Sequence, residues 1–348
     1  MQNRRCFRAP GAASAGPSAN IEDKMDRVNI TASTPLVGRD DLEALIAAAE
    51  HKIVDPREGI FGPRSISWRI NREAALFLGA GRAALLQLAH PWVAVALNQH
   101  SSLMNNPIAR FHNTFRIVFT MIFGSSAQAF AVSRSLYQLH TRIRGELPSA
   151  VAGHAQGSHY EANSLPALIW VYATLVDSAV LAYECVLPPL TNAEREEYYA
   201  ESKVLAGLFG IPAHALPADW RSFTEYVAEM CASSALGVDE GARSMAQGLL
   251  SGAGSWVRPP RWYRALTAAW MPAQFRKDFG LEFDVADELV VKRTRRWLPR
   301  VYRSLPSSAR FTGPYHEARA RLVGRGPGML ARASNRFWIG EVRMPFGE

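Results

Sequence analysis

The sequence predicts an all-α protein. Apolar residues recur with helical spacing along most of the chain, sustained period-2 alternation is missing, and no series of hairpin turns marks out strands. Apolar residues make up 48% of the 348 positions, enough for a sizeable core, and no internal repeat stands out. The spacing divides the chain into a mobile N-terminal tail over residues 1–37, a helical domain over 38–308 and a C-terminal extension over 309–348 lying on the surface.

The elements follow in order. Asp40 to Lys52 has amphipathic spacing, and Asp55 to Pro63 is a turn-rich link. A helix starts near Ser67, carries Trp68 and Glu73, and is broken or bent at Gly79-Ala80-Gly81-Arg82. Those two glycines lack a preceding strand and a downstream Lys-Ser/Thr, so they do not form a phosphate loop. From Arg82 to Gln99, Leu86, His90, Val93 and Leu97 share a face. Pro91 lacks an N–H and is expected to kink that helix and free the carbonyl of Gln87. His90 at this kink has two readings, a core histidine bonded to the freed carbonyl or a group facing a cofactor.

Asn105-Asn106-Pro107 makes a turn, with Pro107 suited to the first turn of the next helix. In that helix Arg110, Thr114, Ile117, Val118 and Met121 lie on one side, while His112 lies off it and is expected to be solvated. Gly124-Ser125-Ser126 separates it from a second helix, which Ser125 or Ser126 can cap. Val132, Leu136, Leu139, His140 and Ile143 form the stripe of that second helix, which is expected to close near Gly145 with Arg142 and Arg144 in its last turn. A turn-rich stretch from Pro148 to Tyr160 leads to the longest apolar run, Leu165 to Leu190. Its length suits a membrane span, but Asp177 and Glu184 sit inside it, so a buried core helix is expected. Trp170, Asp177 and Glu184 recur at i+7 as a polar seam, readable as acid–base groups or as partners of arginines from neighbouring helices. From Thr191 to about Ser308 the chain reads as further helices with Pro/Gly joints.

The formal charge of +8 is uneven: from Trp256 onward there are 18 basic against 8 acidic residues, densest in Lys292–Arg300. No nucleic-acid-binding module accompanies this charge, so nucleic acid is not an expected partner, whereas peripheral contact with an anionic membrane is compatible with it. Arg4-Arg5 faintly matches a twin-arginine signal, but no apolar core follows. Cys6, Cys185 and Cys231 are few and far apart, with no C-x-x-C pair, which points to a reducing compartment and a cytoplasmic location.

Arg110 and His140 are the informative pair. A guanidinium and an imidazole on apolar helix faces are costly to bury unless something there needs them. A haem would use both, an imidazole nitrogen for the iron and a cation for a propionate. Four segments then carry a resemblance: GAGRAALLQLAHPWVAVALNQHS, PIARFHNTFR, LYQLHTRIRG and YEANSLPALIWVYATLVDS. In order and spacing they resemble the catalytic domain shared by bacterial rubber oxygenases (latex clearing proteins) and fungal MpaB-type oxygenases, over Trp68 to Ile211 and more loosely to about Ser308.

The resemblance implies a globin-like helical core binding one haem b. The family's Arg-x-x-x-Thr motif falls on Arg110 and Thr114 as haem supports, and its L-H-x-x-x-x-G motif makes His140 the proximal iron ligand. Arg144, one turn beyond, is expected at a propionate. Two positions depart from the family. Asn113 stands where rubber oxygenases have a lysine able to reach the distal iron, and Tyr172 stands where many members have a histidine. The implied activity is a haem-dependent oxygenase that uses dioxygen on a hydrophobic small molecule, by alkene cleavage or hydroxylation. The alternatives are a haem protein without turnover, acting as sensor, store or electron carrier, and a haem-free scaffold docking on membranes through its basic C-terminal third. His90, Asp177 and Glu184 are the candidate distal bases.

Overall fold

A computed structural model describes residues 34–100, 107–252 and 258–346. All the elements below belong to the unit spanning residues 35–348. Most of the expected tail and the turn at Asn105-Asn106 lie outside the described residues. Residues 35–37, counted with that tail above, are pinned: Leu165 donates its N–H to the Pro35 carbonyl, Val37 donates to Asn163, and the Val37 side chain is buried.

The described fold is helical, as the spacing predicts. The helices relevant to the site are α1 (Arg39–Glu50), α2 (Ile66–Asn71), α3 (Ala80–Leu88), α4 (Pro91–His100), α5 (Pro107–Phe123) and α6 (Ser126–His140). A hairpin of β1 (Arg144–Glu146) and β2 (His159–Glu161) follows. Its strands run antiparallel and pair Gly145 with Tyr160. The remaining helices are α7 (Leu165–Val186), α8 (Asn192–Gly207), α9 (Trp220–Ala232), α10 (Glu240–Ser251), α11 (Arg261–Trp270), α12 (Ala273–Asp278), α13 (Val285–Ser304), α14 (Ser307–Arg310), α15 (Gly313–Leu322) and α16 (Met329–Ile339).

Helix α7 forms the axis of the core. It passes the length and composition test for a membrane span, but more than half of it is buried inside the protein. Trp170, Tyr172, Ala173 and Ala182 are packed on its inner sides. Its polar seam is satisfied by arginines from neighbouring helices. Arg82 of α3 meets Asp177 at 2.6 Å, and Arg195 of α8 meets Glu184 at 2.9 Å. Trp170 donates its indole N–H to the Leu86 carbonyl at 2.8 Å.

Pro91 does not kink a continuous helix. Helix α3 ends at Leu88 and α4 begins at Pro91, the position where a missing N–H costs nothing. The Gln87 carbonyl takes the backbone N–H of His90 instead of its side chain. Ser125 caps α6 in a reciprocal box: its hydroxyl accepts from the Gln128 N–H, and the Gln128 side chain accepts from the Ser125 N–H. The α5–α6 turn is also tightly packed, because a Cβ on Gly59 (φ +78°) would meet the Gly124 carbonyl at 2.2 Å.

The last forty residues fold into the same core. Ala318, Ile339 and Met344 are buried with Trp68, Phe119 and Phe123. Trp338 stacks on Phe77 at 3.7 Å with near-parallel rings. His112, expected to be solvated, is covered by this segment, with Nε2 3.0 Å from the Phe337 carbonyl oxygen.

Candidate functional site

Helices α5 and α6 are sequential, joined by a two-residue turn and packed side by side. The start of α5 therefore lies beside the end of α6, and this brings Arg110 and His140 together. Both side chains are half-buried, yet protein surrounds them closely enough that desolvation dominates their ionisation. Burial holds the Arg110 pKa below its ordinary value. Burial first, and the Arg110 charge second, push His140 down to about 4. The imidazole is therefore neutral at pH 7. Among the described residues neither side chain has a hydrogen-bond or carboxylate partner.

Thr114 lies one turn after Arg110, and its hydroxyl donates to the Arg110 carbonyl oxygen at 3.1 Å. Asn113 is tied sideways, its amide oxygen accepting from Arg116 Nη2 at 2.9 Å. Helix α6 stops at His140, not near Gly145. The Ile143 N–H turns back onto the His140 carbonyl at 3.0 Å, and the Ala162 N–H bonds to Ile143, so the chain passes directly into the hairpin. Arg144 consequently sits on β1, exposed, not in a last helical turn.

The motif glycine has a steric reason. A Cβ on Gly145 would lie 2.7 Å from the Tyr160 hydroxyl and 2.9 Å from its ring. Tyr160 is buried there, donates to Gln99 at 2.7 Å and meets His100 Nε2 at 3.1 Å. The residues just beyond His140 are thus fastened to the end of α4.

The candidate bases come out differently. His90 is buried and pushed down to about 3, by desolvation and then by His154. Its Nδ1 and the Trp92 Nε1 are buried without partners among the described residues, and its ring centroid is 5.5 Å from that of His154. Asp177 and Glu184 are held in their arginine pairs. Tyr172, at the position where many family members carry histidine, is hydrogen-bonded to Ser202 at 2.8 Å inside the core.

A cavity of about 540 Å³ opens between α5, α6 and the C-terminal segment. Ile117, Val132, Leu136 and Leu139 give it an apolar wall, with Asn113 and Arg142 among its polar members. Arg110 and His140 are not in this lining, although their chain neighbours Asn113 and Leu139 are. The reading of α5 by one face also missed a second stripe. Phe111, Phe115, Phe119 and Phe123, four residues apart, run along α5, with Phe77 against the first three and Trp68 against Phe123.

No curated protein and no solved structure matches the chain at a significant level. A family model does match, described as "ER-bound oxygenase mpaB/B'/Rubber oxygenase, catalytic domain", over residues 68–300. That span holds most of α2, all of α3 to α12, most of α13, and every candidate site residue. The helical fold, the paired motifs on α5 and α6 and this match together place the chain in the MpaB/rubber oxygenase catalytic-domain family.

Proposed function

We propose that the chain is a haem b-dependent oxygenase acting with dioxygen on a hydrophobic small molecule, with His140 as the residue that would hold the iron. Family membership supports an oxygenase. The haem reading rests on one observation, a neutral imidazole beside a guanidinium on adjacent helix ends, neither with a partner among the described residues. This donor set fits the group. A neutral imidazole offers a nitrogen lone pair to iron, and a desolvated arginine is suited to a propionate carboxylate. When bound, haem supplies the dioxygen chemistry, and the protein supplies ligation, orientation and a dry pocket.

The chain's own residues have separable tasks. Burial keeps His140 unprotonated, so ligation does not have to displace a proton. Arg110 would provide the charge, and Thr114 bonds back to the Arg110 carbonyl one turn earlier. Asn113 brings no charge to the position of the family's lysine. None of the three candidate bases is a free carboxylate or a protonatable imidazole at pH 7, so no base is assigned. Arg144 is exposed on its strand and Arg110 is desolvated beside His140, so Arg110 is the cation assigned to a propionate. The nearby cavity pairs an apolar wall with polar and charged residues, so the hydrophobic substrate class rests on the family.

The test is the absorption spectrum of protein produced with ample haem, beside His140→Ala and Arg110→Gln. A Soret band is expected in the wild type. It should be lost or shifted in His140→Ala, and retained with weaker haem affinity in Arg110→Gln. A colourless wild type after haem addition, or an unchanged His140→Ala spectrum, overturns the assignment. Oxygen-dependent product formation then separates an oxygenase from a haem protein without turnover.

A further inference from the structure

Helix α16 turns much of its apolar surface outward. Ala331 and Asn335 face the core, whereas Met329, Leu330 and Phe337 are 88%, 76% and 56% exposed. At 100° per residue, Met329, Leu330, Ala333 and Phe337 fall within one outward sector. Val323, 66% exposed in the approach to the helix, precedes this stripe.

The orientation of the helix is pinned from inside. Asn335, fully buried, donates to Glu317 at 2.6 Å and to the Val342 carbonyl at 3.2 Å. Trp338 is stacked on Phe77, and Ile339 is buried. Rolling the helix to hide Met329, Leu330 and Phe337 would break all of these contacts. The outward stripe is therefore a fixed property of the fold.

Charge identifies what the stripe meets. Residues 318–340 contain five arginines and no acidic residue. Arg321 is turned inward, donating to the Arg57 and Phe123 carbonyls. Arg325, Arg332 and Arg336 are exposed, and among the described residues none of the three has a carboxylate partner. On the helix, Arg332 and Arg336 border the apolar sector on one side. Exposed large apolar side chains bordered by unneutralised cations are the pattern of a helix lying in a bilayer interface, with its apolar face among the acyl chains and its arginines at lipid phosphates. We propose that α16 docks the protein on anionic lipid bilayers. Met329, Leu330 and Phe337 enter the interface, and Arg325, Arg332 and Arg336 engage the headgroups. This inference is independent of the haem reading.

The test is flotation of the full-length protein with vesicles of phosphatidylcholine alone or mixed with phosphatidylglycerol. Two variants confined to exposed positions are compared, Leu330→Asp/Phe337→Asp and Arg332→Glu/Arg336→Glu. Circular dichroism and thermal unfolding verify that each is folded. Wild type should float with the mixed vesicles and much less with phosphatidylcholine, and each variant should bind the mixed vesicles at least about tenfold more weakly. Equal wild-type binding to both vesicle types, or none to either, overturns the proposal. Loss in the arginine variant alone would reveal a general polyanion surface and also overturns it. So would a wild-type dimer that dissociates in the aspartate variant without vesicle binding, since a second copy would then cover the stripe.

Discussion

His140 shows how surroundings set the charge of a residue. Desolvation penalises the imidazolium, and Arg110 adds repulsion, so the folded protein protonates His140 only near pH 4. The unfolded chain takes up that proton near the ordinary value of 6.5. Between these values the unfolded state binds more protons, so the contribution to stability is complete above about pH 6.5 and is lost as pH falls toward 4. His90, pushed down to about 3, acts in the same direction over a wider window. Urea unfolding at pH 7 and pH 4.5 should show a loss of stability in wild type that is smaller in His140→Gln, by on the order of 2 kcal/mol. An equal loss in both proteins would mean that His140 is better solvated than its packing implies. At this scale the sequence was informative but incomplete. Helical spacing placed Arg110, Thr114 and His140 on inward faces, and the fold brings Arg110 and His140 together. Arg144 was misplaced because a three-residue strand is too short to leave a period of two, so the helix seemed to run on to Gly145.

Among the elements, long helices were legible and their partners were not. The seam on α7 showed in the i+7 recurrence of Trp170, Asp177 and Glu184. The arginines that satisfy it come from α3 and α8, and nothing local to α7 names them. Glu73 is a stronger example. It is almost fully buried, receives Arg310 at 2.8 Å and 3.0 Å and the Tyr302 hydroxyl at 2.8 Å, and so fastens the end of α2 to α13 and α14. The sequence marked Glu73 only as a helical residue, because its partners lie more than two hundred positions away. Arg310→Ala removes two charge-assisted bonds and leaves Glu73 with the Tyr302 hydroxyl and with Arg72 at 3.7 Å, so it should lower the unfolding free energy by about 2 kcal/mol. Restoration of most of that loss in Arg310→Ala/Glu73→Gln would trace the effect to the carboxylate. A change below about 0.5 kcal/mol in the single variant would show that water compensates Glu73.

For the whole molecule, the C-terminal forty residues matter most. The sequence reads them as a surface extension, and half of that reading corresponds to a real property: the outer side of α16 is exposed and basic. The inner side is core, since Trp338, Ile339 and Met344 cover the aromatic stripe of α5. A chain ending at Leu322 would uncover Phe77, Phe115 and Phe119. Burying each large apolar side chain contributes about 1.5–3 kcal/mol, so this truncation should lose several kcal/mol and lower the thermal midpoint markedly. A truncated chain with an unchanged midpoint would reduce the segment to a peripheral attachment. Fold class was readable in the sequence because helical periodicity is local. The role of this segment was not, because covering a stripe more than two hundred residues earlier leaves no periodic trace of its own.

The α5–α6 pair behaves as a pair of tongs. Arg110 and His140 are the tips, and the turn at Gly124-Ser125 is the pivot, where Gly59 leaves no room for a side chain. At 1.5 Å per residue each arm is about 21–22 Å long from pivot to tip, so a splay of only about 3° parts the tips by roughly 1 Å. A displacement of that size is enough to spoil a binding geometry. A side chain placed at Gly59 would press on the Gly124 carbonyl, at the end of the two helices opposite the site, and so could shift the tips without touching them.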